Sequence, residues 1–507
     1  VTARRTAAAL CWAATAAVAV RGITGTSQVA ASLRWLRRHR PAADATAAGE
    51  AARGRHVLLI LPMLREQTVI APTVDYFTAL AQSWGPATVV LATTEREHHD
   101  RHEAAGRLGE LAAALRRRRT VAYLSRRFAG VLPADLLGQL AEASGDPTID
   151  YRSRVEAAFQ ELPSTPELAA KFAADSDGLV RHHHHPDAGA VMVHQINHAV
   201  GAELRRLACA GVAPETMWIG VYNADSRPHP GTLAALAAAP PAARAVQQSA
   251  LHTLALGGGS GLGGAVSDGA ALLQSRWSLA REVPRLRAQA AQAQRRSARW
   301  PRLGHCTGHG LFVRGDLWHD VNGLPTATMN EDLAFGYQLS AAREPIHVLP
   351  LLEVADSPTT VAALVRQHRQ WFFSYPQYPA AARLAASAQR SDSRTRAWLT
   401  AQGIARGALW LGQSPAIAAT LLLPAIARRH QLAAASATAA LSTYLLAPAV
   451  LLARSGEPGA PRRFGTREVA GLLAASLVSS AGPWRCLHDL ARAAMGGDHL
   501  VHDKTER

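Results

Sequence analysis

Between residues 56 and 225 the chain alternates short unbroken apolar runs with longer segments of helical spacing. HVLLIL (56–61) and ATVVLAT (87–93) lack the one-on, one-off alternation of a half-exposed strand. Each therefore predicts a strand buried on both faces of a parallel sheet. Val69, Val74, Phe77 and Leu80 recur near helical spacing and predict the helix between them. Strand, helix, strand opens an α/β sheet. MWIGVYNAD (217–225) predicts a later strand that closes in a polar turn with Pro228 and Pro230. VMVHQINHAV (191–200) begins apolar and reads as a strand entering a helix. Residues 96–185 are polar and charged and read as a helical insertion, with Arg116 to Arg119 on a solvated face. The run His182 to His185 offers a metal-site reading, but it lies mid-chain, runs into Pro186 and reads instead as a natural loop without function. Gly257 to Gly264 lacks the Lys and Ser/Thr of a phosphate-binding loop and reads as a mobile loop.

The two ends carry a different pattern. Thr6 to Val20 is an apolar run behind Arg4 and Arg5. Its length suits a signal-peptide core, but no A-x-A cleavage site follows, which favours a short or tilted membrane anchor. Trp35 to Arg55, rich in Arg and Ala, reads as a surface linker. Near the C-terminus, Ile404 to Ala427 has one charge, Arg406, and Gln431 to Ala453 has none. Both exceed the roughly 20 residues that cross a hydrocarbon core, so they predict a membrane hairpin broken at Arg428, Arg429 and His430. Val469 to Pro483 is a shorter, marginal span. The division expected is an anchor and linker (1–50), an α/β domain (51–360), an interfacial segment (361–400), transmembrane helices (401–495) and a tail (496–507). Arg454, Arg462, Arg463 and Arg467 place the loop after the hairpin, and with it the α/β domain, on the cytoplasmic side of a multi-pass cell-membrane protein.

Composition narrows the class only a little. The chain has 507 residues, of which 48% are apolar and 18% charged, and a net charge of +16. Wholesale disorder is excluded by the long apolar runs. The charge suits an anionic membrane face or phosphorylated substrates. Nucleic acid is not an expected partner, because no basic stretch is interleaved with aromatics. Cys11, Cys209, Cys306 and Cys486 are scattered, without metal or redox spacing, and read as reduced thiols.

Three polar clusters carry the candidate chemistry. Asn223-Ala224-Asp225 closes a strand, where ligands of open α/β sheets bind. A carboxylate there suits Mg²⁺, which is held by one or two carboxylates plus substrate phosphates. Asn330-Glu331-Asp332 precedes the apolar stretch LAFGYQL and offers a general base. Gln367-His368-Arg369-Gln370-Trp371, followed by Phe372 and Phe373, stands just before the membrane part.

In order and spacing these clusters resemble the family 2 glycosyltransferases of the GT-A fold, in the membrane-attached branch of cellulose, hyaluronan and chitin synthases. The resemblance runs from about His56 to Trp371. It implies a mixed, mostly parallel α/β sheet followed by transmembrane helices. The family's Pro-x-x-x-Glu turn is matched by Pro62 and Glu66, and its Asp-x-Asp by NADSRPHP, in which only Asp225 keeps a carboxylate. The Gly-rich acceptor-side segment is matched by Thr307-Gly308-His309-Gly310, and the Thr-Glu-Asp motif by Asn330-Glu331-Asp332. EVADSPTTVAALVRQHRQW tracks the approach to Gln-x-x-Arg-Trp.

By resemblance, Asp332 is the base and Glu331 its orienting neighbour. Pro62, Glu66, Glu95 and Asp225 bind the donor, with Asp225 on Mg²⁺ or Mn²⁺. Gly308, His309, Gln367 and Trp371 line the acceptor site. The implied activity is inverting transfer from a nucleoside-diphosphate sugar to a lipid-linked or saccharide hydroxyl. Two departures stand out. Gln370 replaces the motif's Arg, although Arg366 and Arg369 are near, and the second strand ends in Thr93-Thr94-Glu95 rather than paired aspartates. The lost first Asp of Asp-x-Asp and the lost Arg of the terminal motif favour, as the competing reading, a catalytically impaired membrane scaffold or accessory subunit that keeps the fold.

Overall fold

A computed structural model describes residues 2–41, 55–128, 130–259, 261–295, 300–388, 391–461 and 464–495. Most of the expected linker, Ser260, Arg462, Arg463 and the tail lie outside the described residues. The chain divides into two compact units: Ala52–Asp225 with Arg314–Gly323, and Val1–Ala51 with Ser226–Val313 and Leu324–Arg507.

The first unit is built on four parallel strands in the order β3-β2-β1-β4. They are β1 (His56–Pro62), β2 (Ala87–Thr94), β3 (Val180–His185) and β4 (Met217–Val221). Every residue of β2 and β4 is buried, as the unbroken apolar runs predict for strands covered on both faces. The helix between β1 and β2 spans Ile70–Gln82 and buries Val74, Phe77 and Leu80, the residues whose spacing predicts it. The insertion after β2 is helical from Arg96 to Ala174, and Arg116 to Arg119 are exposed. Five of its helices enclose a small core of their own around Leu111, Leu115, Phe128 and Tyr151.

Two expectations fail in this unit. The four-histidine run is β3, not a loop. It pairs in register with β2 from Val89↔Val180 to Thr94↔His185 and is only partly buried. An edge strand needs one ladder partner and no apolar signature, so its composition hides it. VMVHQINHAV contains no strand, because the helix Met192–Cys209 starts at once. Val193, Ile196, Ala199 and Val200 are its buried stripe, at helical spacing.

The second unit holds β5 (Ala245–Gln247), flanked by antiparallel β7 (Leu311–Arg314) and parallel β8 (Ile346–Val348). A separate parallel pair joins β6 (Ala250–Leu251) to β9 (Glu353–Val354). The strands are thus mostly parallel, as expected. Around them lie the apolar helices. Two are long and apolar enough to cross a membrane, Ala3–His39 and His430–Ala453, and a third qualifies if Ser393–Leu411 and Gln413–Ile426 count as one span.

That pair is bent by 40° where a continuous span over Ile404 to Ala427 is expected. The break falls at Gly412, and Pro415 lacks the N–H that would bond the carbonyl of Leu411. In His430–Ala453 the same defect, at Pro448, is absorbed by a π-helical turn at Ser442–Leu446. The marginal third span is a helix of only 13 residues, Thr466–Val478. At the N-terminus the helix runs from Thr2 to His39, well past the expected anchor. Trp35 to His39 are therefore helix rather than linker, and Leu36 packs in a cluster with Leu251, Leu279 and Leu452.

The Gly-rich stretch is not all loop either. Gly261–Trp277 is a helix that crosses Thr466–Val478 at backbone contact. A Cβ on Gly269 would lie 2.1 Å from the carbonyl carbon of Gly471, and one on Gly471 2.0 Å from the carbonyl oxygen of Ala265. All four cysteines are free thiols, as their spacing suggests.

Candidate functional site

In the first unit, the expected donor-side residues share one edge of the sheet. The register pairs Ile60 with Val221 and Pro62 with Ala92, so β1, β2 and β4 end side by side. Pro62 ends β1, Glu66 and Glu95 follow β1 and β2, and Asp225 follows β4. Carboxyl ends of parallel strands are where open α/β sheets bind ligands. The segment carrying Asp225 is tied down on both sides of the strand end. Tyr222 N–H donates to the Ile60 carbonyl at 3.0 Å, and the Thr73 hydroxyl to the Ala224 carbonyl at 2.6 Å.

The turn after β1 is organised by a residue that the sequence reading leaves unassigned. Glu97 is buried and accepts three hydrogen bonds, from Arg65 N–H at 2.6 Å, Thr165 N–H at 2.7 Å and Gln67 Nε2 at 2.8 Å. Arg65 adopts a left-handed φ of 55° to make its bond. Glu66 N–H then donates to the Thr165 hydroxyl at 2.8 Å, which fixes the buried Glu66 in place. Within the charged string REHHD nothing marks Glu97 as an acceptor for a remote turn.

Glu95 is half-buried just after β2, where His184 and His98 approach its Oε2 at 3.0 and 3.1 Å. Their hydrogen bonds hold its carboxyl below the usual carboxylate range. The neighbouring Thr hydroxyls are engaged: Thr94 donates to the Asp187 carbonyl, and Thr93 lies against His182 and His184. Arg314 is held by Asp316 through two contacts of 2.7 Å.

In the second unit, the Thr307–Gly310 loop is pinned by Gln247. Its Nε2 donates to the Thr307 hydroxyl at 2.7 Å and the His309 carbonyl at 2.8 Å, and its Oε1 accepts Thr307 N–H at 3.1 Å. Gln248 N–H donates to the Gly310 carbonyl at 2.7 Å. Gly310 has φ +66°, and a Cβ there would meet the Gln248 carbonyl oxygen at 2.5 Å, so the position requires glycine.

This loop meets the first turn of the helix Glu331–Ala341. The Asp332 carboxylate accepts Leu333 N–H at 2.8 Å and the Gly308 N–H, and His309 acts on it electrostatically. Burial raises both members of the Glu331–Asp332 pair, and the charge of Asp332 pushes Glu331 up further. Asp332 has the compensating donors, so it is the member that ionises first while Glu331 keeps its proton. Asp332, Glu331, Gly308 and His309 are thus brought together.

The Gln367–Trp371 segment joins them through Asn330. Its Nδ2 donates to the Gln370 carbonyl at 3.0 Å and to the Ser374 hydroxyl. Gln367 accepts from Gln274 Nε2 at 3.0 Å. Trp371 is 38% exposed, whereas Phe372 and Phe373 are buried and so form no outward aromatic belt. Arg369 is bound to Asp489 at 2.5 Å and covers the Phe373 ring, which removes it as a stand-in for the missing motif Arg.

Two residues that the sequence reading does not single out contact His309, and a third feels its charge. Its Nδ1 contacts the fully buried Glu353, and its ring lies edge-on to His252, which in turn faces Trp371. Glu282, also buried, accepts from the Ser249 hydroxyl at 2.6 Å and is pushed by burial up to about 7. Only the position of Glu353, at the head of EVADSPTT, hints at a role.

Comparison with known proteins adds little. No family model and no curated protein matches the chain. Among solved structures, the chain is similar to the mannosyltransferase PcManGT from Pyrobaculum calidifontis, solved in complex with GDP-Man and Mn2+. The match has 16% identity and a TM-score of 0.42, and covers 95% of this chain and 99% of that one.

Proposed function

We propose that the protein is a membrane-attached inverting glycosyltransferase of the family 2 type, which moves a sugar from a nucleoside-diphosphate donor to an acceptor hydroxyl. The observation that carries this reading is the junction at Asn330. It ties the Glu331–Asp332 turn to the Gln367–Trp371 helix, while Asp332 also receives the Gly308 N–H. Three of the segments on which the resemblance rests thus meet within the second unit, around the half-buried carboxylate of Asp332.

In this reading Asp332 accepts the proton of the acceptor hydroxyl as that oxygen attacks the anomeric carbon. Glu331, holding its own proton, keeps the neighbouring charge low. Gly308, His309, Gln367 and Trp371 position the acceptor, a lipid-linked or saccharide hydroxyl. Pro62, Glu66 and Glu95 line the donor edge, with Asp225 beside the diphosphate. A carboxylate at a strand end fits Mg²⁺ or Mn²⁺, which takes its remaining ligands from phosphates and water. When bound, the ion offsets charge on the leaving diphosphate. The apolar helices support attachment to a membrane, and in this reading the protein crosses it more than once with the catalytic residues on the cytoplasmic side.

The test is a donor screen on detergent-solubilised protein, reading nucleoside-diphosphate release for each sugar nucleotide with and without Mn²⁺. Metal-dependent release for one donor, weakened in Asp225→Asn, is the expected result. Absence of release with every donor and metal supports the impaired scaffold instead.

A further inference from the structure

We propose that Glu95, His98 and His184 form a binding site for a divalent transition-metal ion of the zinc class, separate from the Asp225 position. The starting point is the strand character of the four-histidine run. Successive side chains of a strand point to opposite faces. His182 and His184 fall on the face that carries Thr93, and His183 on the other, where it contacts Glu203 at 2.7 Å. Glu95 follows β2 at the N-cap position of the helix Arg96–Ala105, whose first turn supplies His98.

The donor atoms of Glu95, His98 and His184 all lie within 4.8 Å of one another. Zinc bonds of about 2.0–2.2 Å in a tetrahedral set place two ligand atoms roughly 3.3 Å apart. The separations here, 3.0 Å from His184 Nε2 and 3.1 Å from His98 Nδ1 to the same Glu95 oxygen, fall just inside that spacing. Only a slight opening of the three side chains admits an ion.

An outer shell is also present. A ligating imidazole needs its second nitrogen held by a partner that fixes the tautomer. His184 Nδ1 lies 3.0 Å from the Thr93 hydroxyl, which lies 2.7 Å from His182 Nε2. With Nε2 on the metal, His184 Nδ1–H donates to Thr93 Oγ1, and the Thr93 O–H donates to His182. Thr93 is buried, so this chain is shielded from competing water.

Two imidazoles and one carboxylate suit Zn²⁺, Fe²⁺, Ni²⁺ or Co²⁺, whereas Mg²⁺ prefers oxygen ligands alone. Three protein ligands leave a fourth tetrahedral position open to water or an anion. The ion would clamp the first turn of the Arg96–Ala105 helix to the edge strand β3, at the strand ends where Pro62, Glu66 and Asp225 also lie. The inference does not depend on sugar transfer.

The experiment uses the full-length chain without an affinity tag, in detergent, stripped by a chelator and titrated with Co²⁺ and then Zn²⁺. One equivalent of Co²⁺ should bind with a visible d–d band that Zn²⁺ displaces. His98→Ala and His184→Ala should each weaken binding at least about tenfold, and Thr93→Val by about tenfold through the outer shell. His98 is 43% exposed, so its variant should keep the wild-type thermal midpoint without metal. His99→Ala, in the neighbouring trio His99, Asp100 and Glu103, should bind normally. No band, a band that survives in His98→Ala, a band lost in His99→Ala, or displacement of Co²⁺ by Mg²⁺ each overturns the proposal.

Discussion

Glu203 in the first unit and Glu331 in the second are both buried carboxylates, yet their surroundings drive them in opposite directions. Burial pushes Glu203 up, but hydrogen bonds from His183, Arg206 and Arg181 outweigh it and hold the carboxyl at about 2. Arg181 Nε and Arg206 reach it at 2.6 and 2.7 Å. Glu331 has burial and the charge of Asp332 against it, and both push it up. A carboxylate that is compensated on every side does structural work, here joining β3 to the Met192–Cys209 helix. A carboxylate left short of donors costs stability, and such groups gather where protons are moved. Glu282, raised close to neutrality beside His309, belongs to the second kind.

The largest expected effect comes from removing the proposed base. Asp332→Asn should lower transfer by about 10²–10⁴-fold, the usual contribution of a general base, without lowering the thermal midpoint. Retained activity would end its assignment as the base. Next in size is Glu203→Ala, expected to cost about 2–3 kcal/mol through lost charge-assisted hydrogen bonds, read as a lower thermal midpoint in detergent. Were it as tolerant as a surface change, the contrast between the two carboxylates would collapse.

Opposite pH responses sharpen the comparison. Glu331 has a raised pKa, so the folded state prefers it protonated. Its contribution is intact below the ordinary glutamate value of 4.5 and is lost as pH rises through the folded value. Glu331→Gln should therefore stabilise the protein at pH 8 by at least about 1 kcal/mol, one pKa unit being worth about 1.4, with the gain shrinking toward pH 4. Glu203 is depressed, so its contribution is present above 4.5 and is lost as pH falls toward about 2. Parallel melting curves of Glu331→Gln and Glu203→Ala against pH should diverge in opposite senses. The smallest effect is expected for Arg152→Ala. It removes an exposed i,i+4 pair with Glu156, and the thermal midpoint should stay within error of the wild type.

How much of this was legible in the sequence depends on the kind of signal. Buried parallel strands announce themselves, because two covered faces demand unbroken apolar runs, and β1, β2 and β4 were readable for that reason. The edge strand β3 was not, since four histidines satisfy a strand whose faces are only half covered. Asp332, Gly308 and His309 were legible as a set through the family resemblance. Their partners Glu97, Gln247 and Glu353 were not, because each acts on a segment remote in sequence and nothing local records the meeting. The long apolar runs were visible, but the bend at Gly412 and the π turn before Pro448 arise from single missing N–H groups, which an average over a window erases.

The contact between Gly269 and Gly471 bears on how this sequence tolerates change. Where two helices touch through bare backbone, no side chain is available to absorb a substitution by shifting its rotamer. Every mutation at either site adds a wedge, and even alanine must pry the helices apart. In a saturation scan these positions should stand out as an all-or-none pair, each refusing all nineteen alternatives. The apolar residues around them should accept volume-conserving swaps. Such a pair, once recognised, also gives a register mark by which relatives too diverged to align could have these two helices matched.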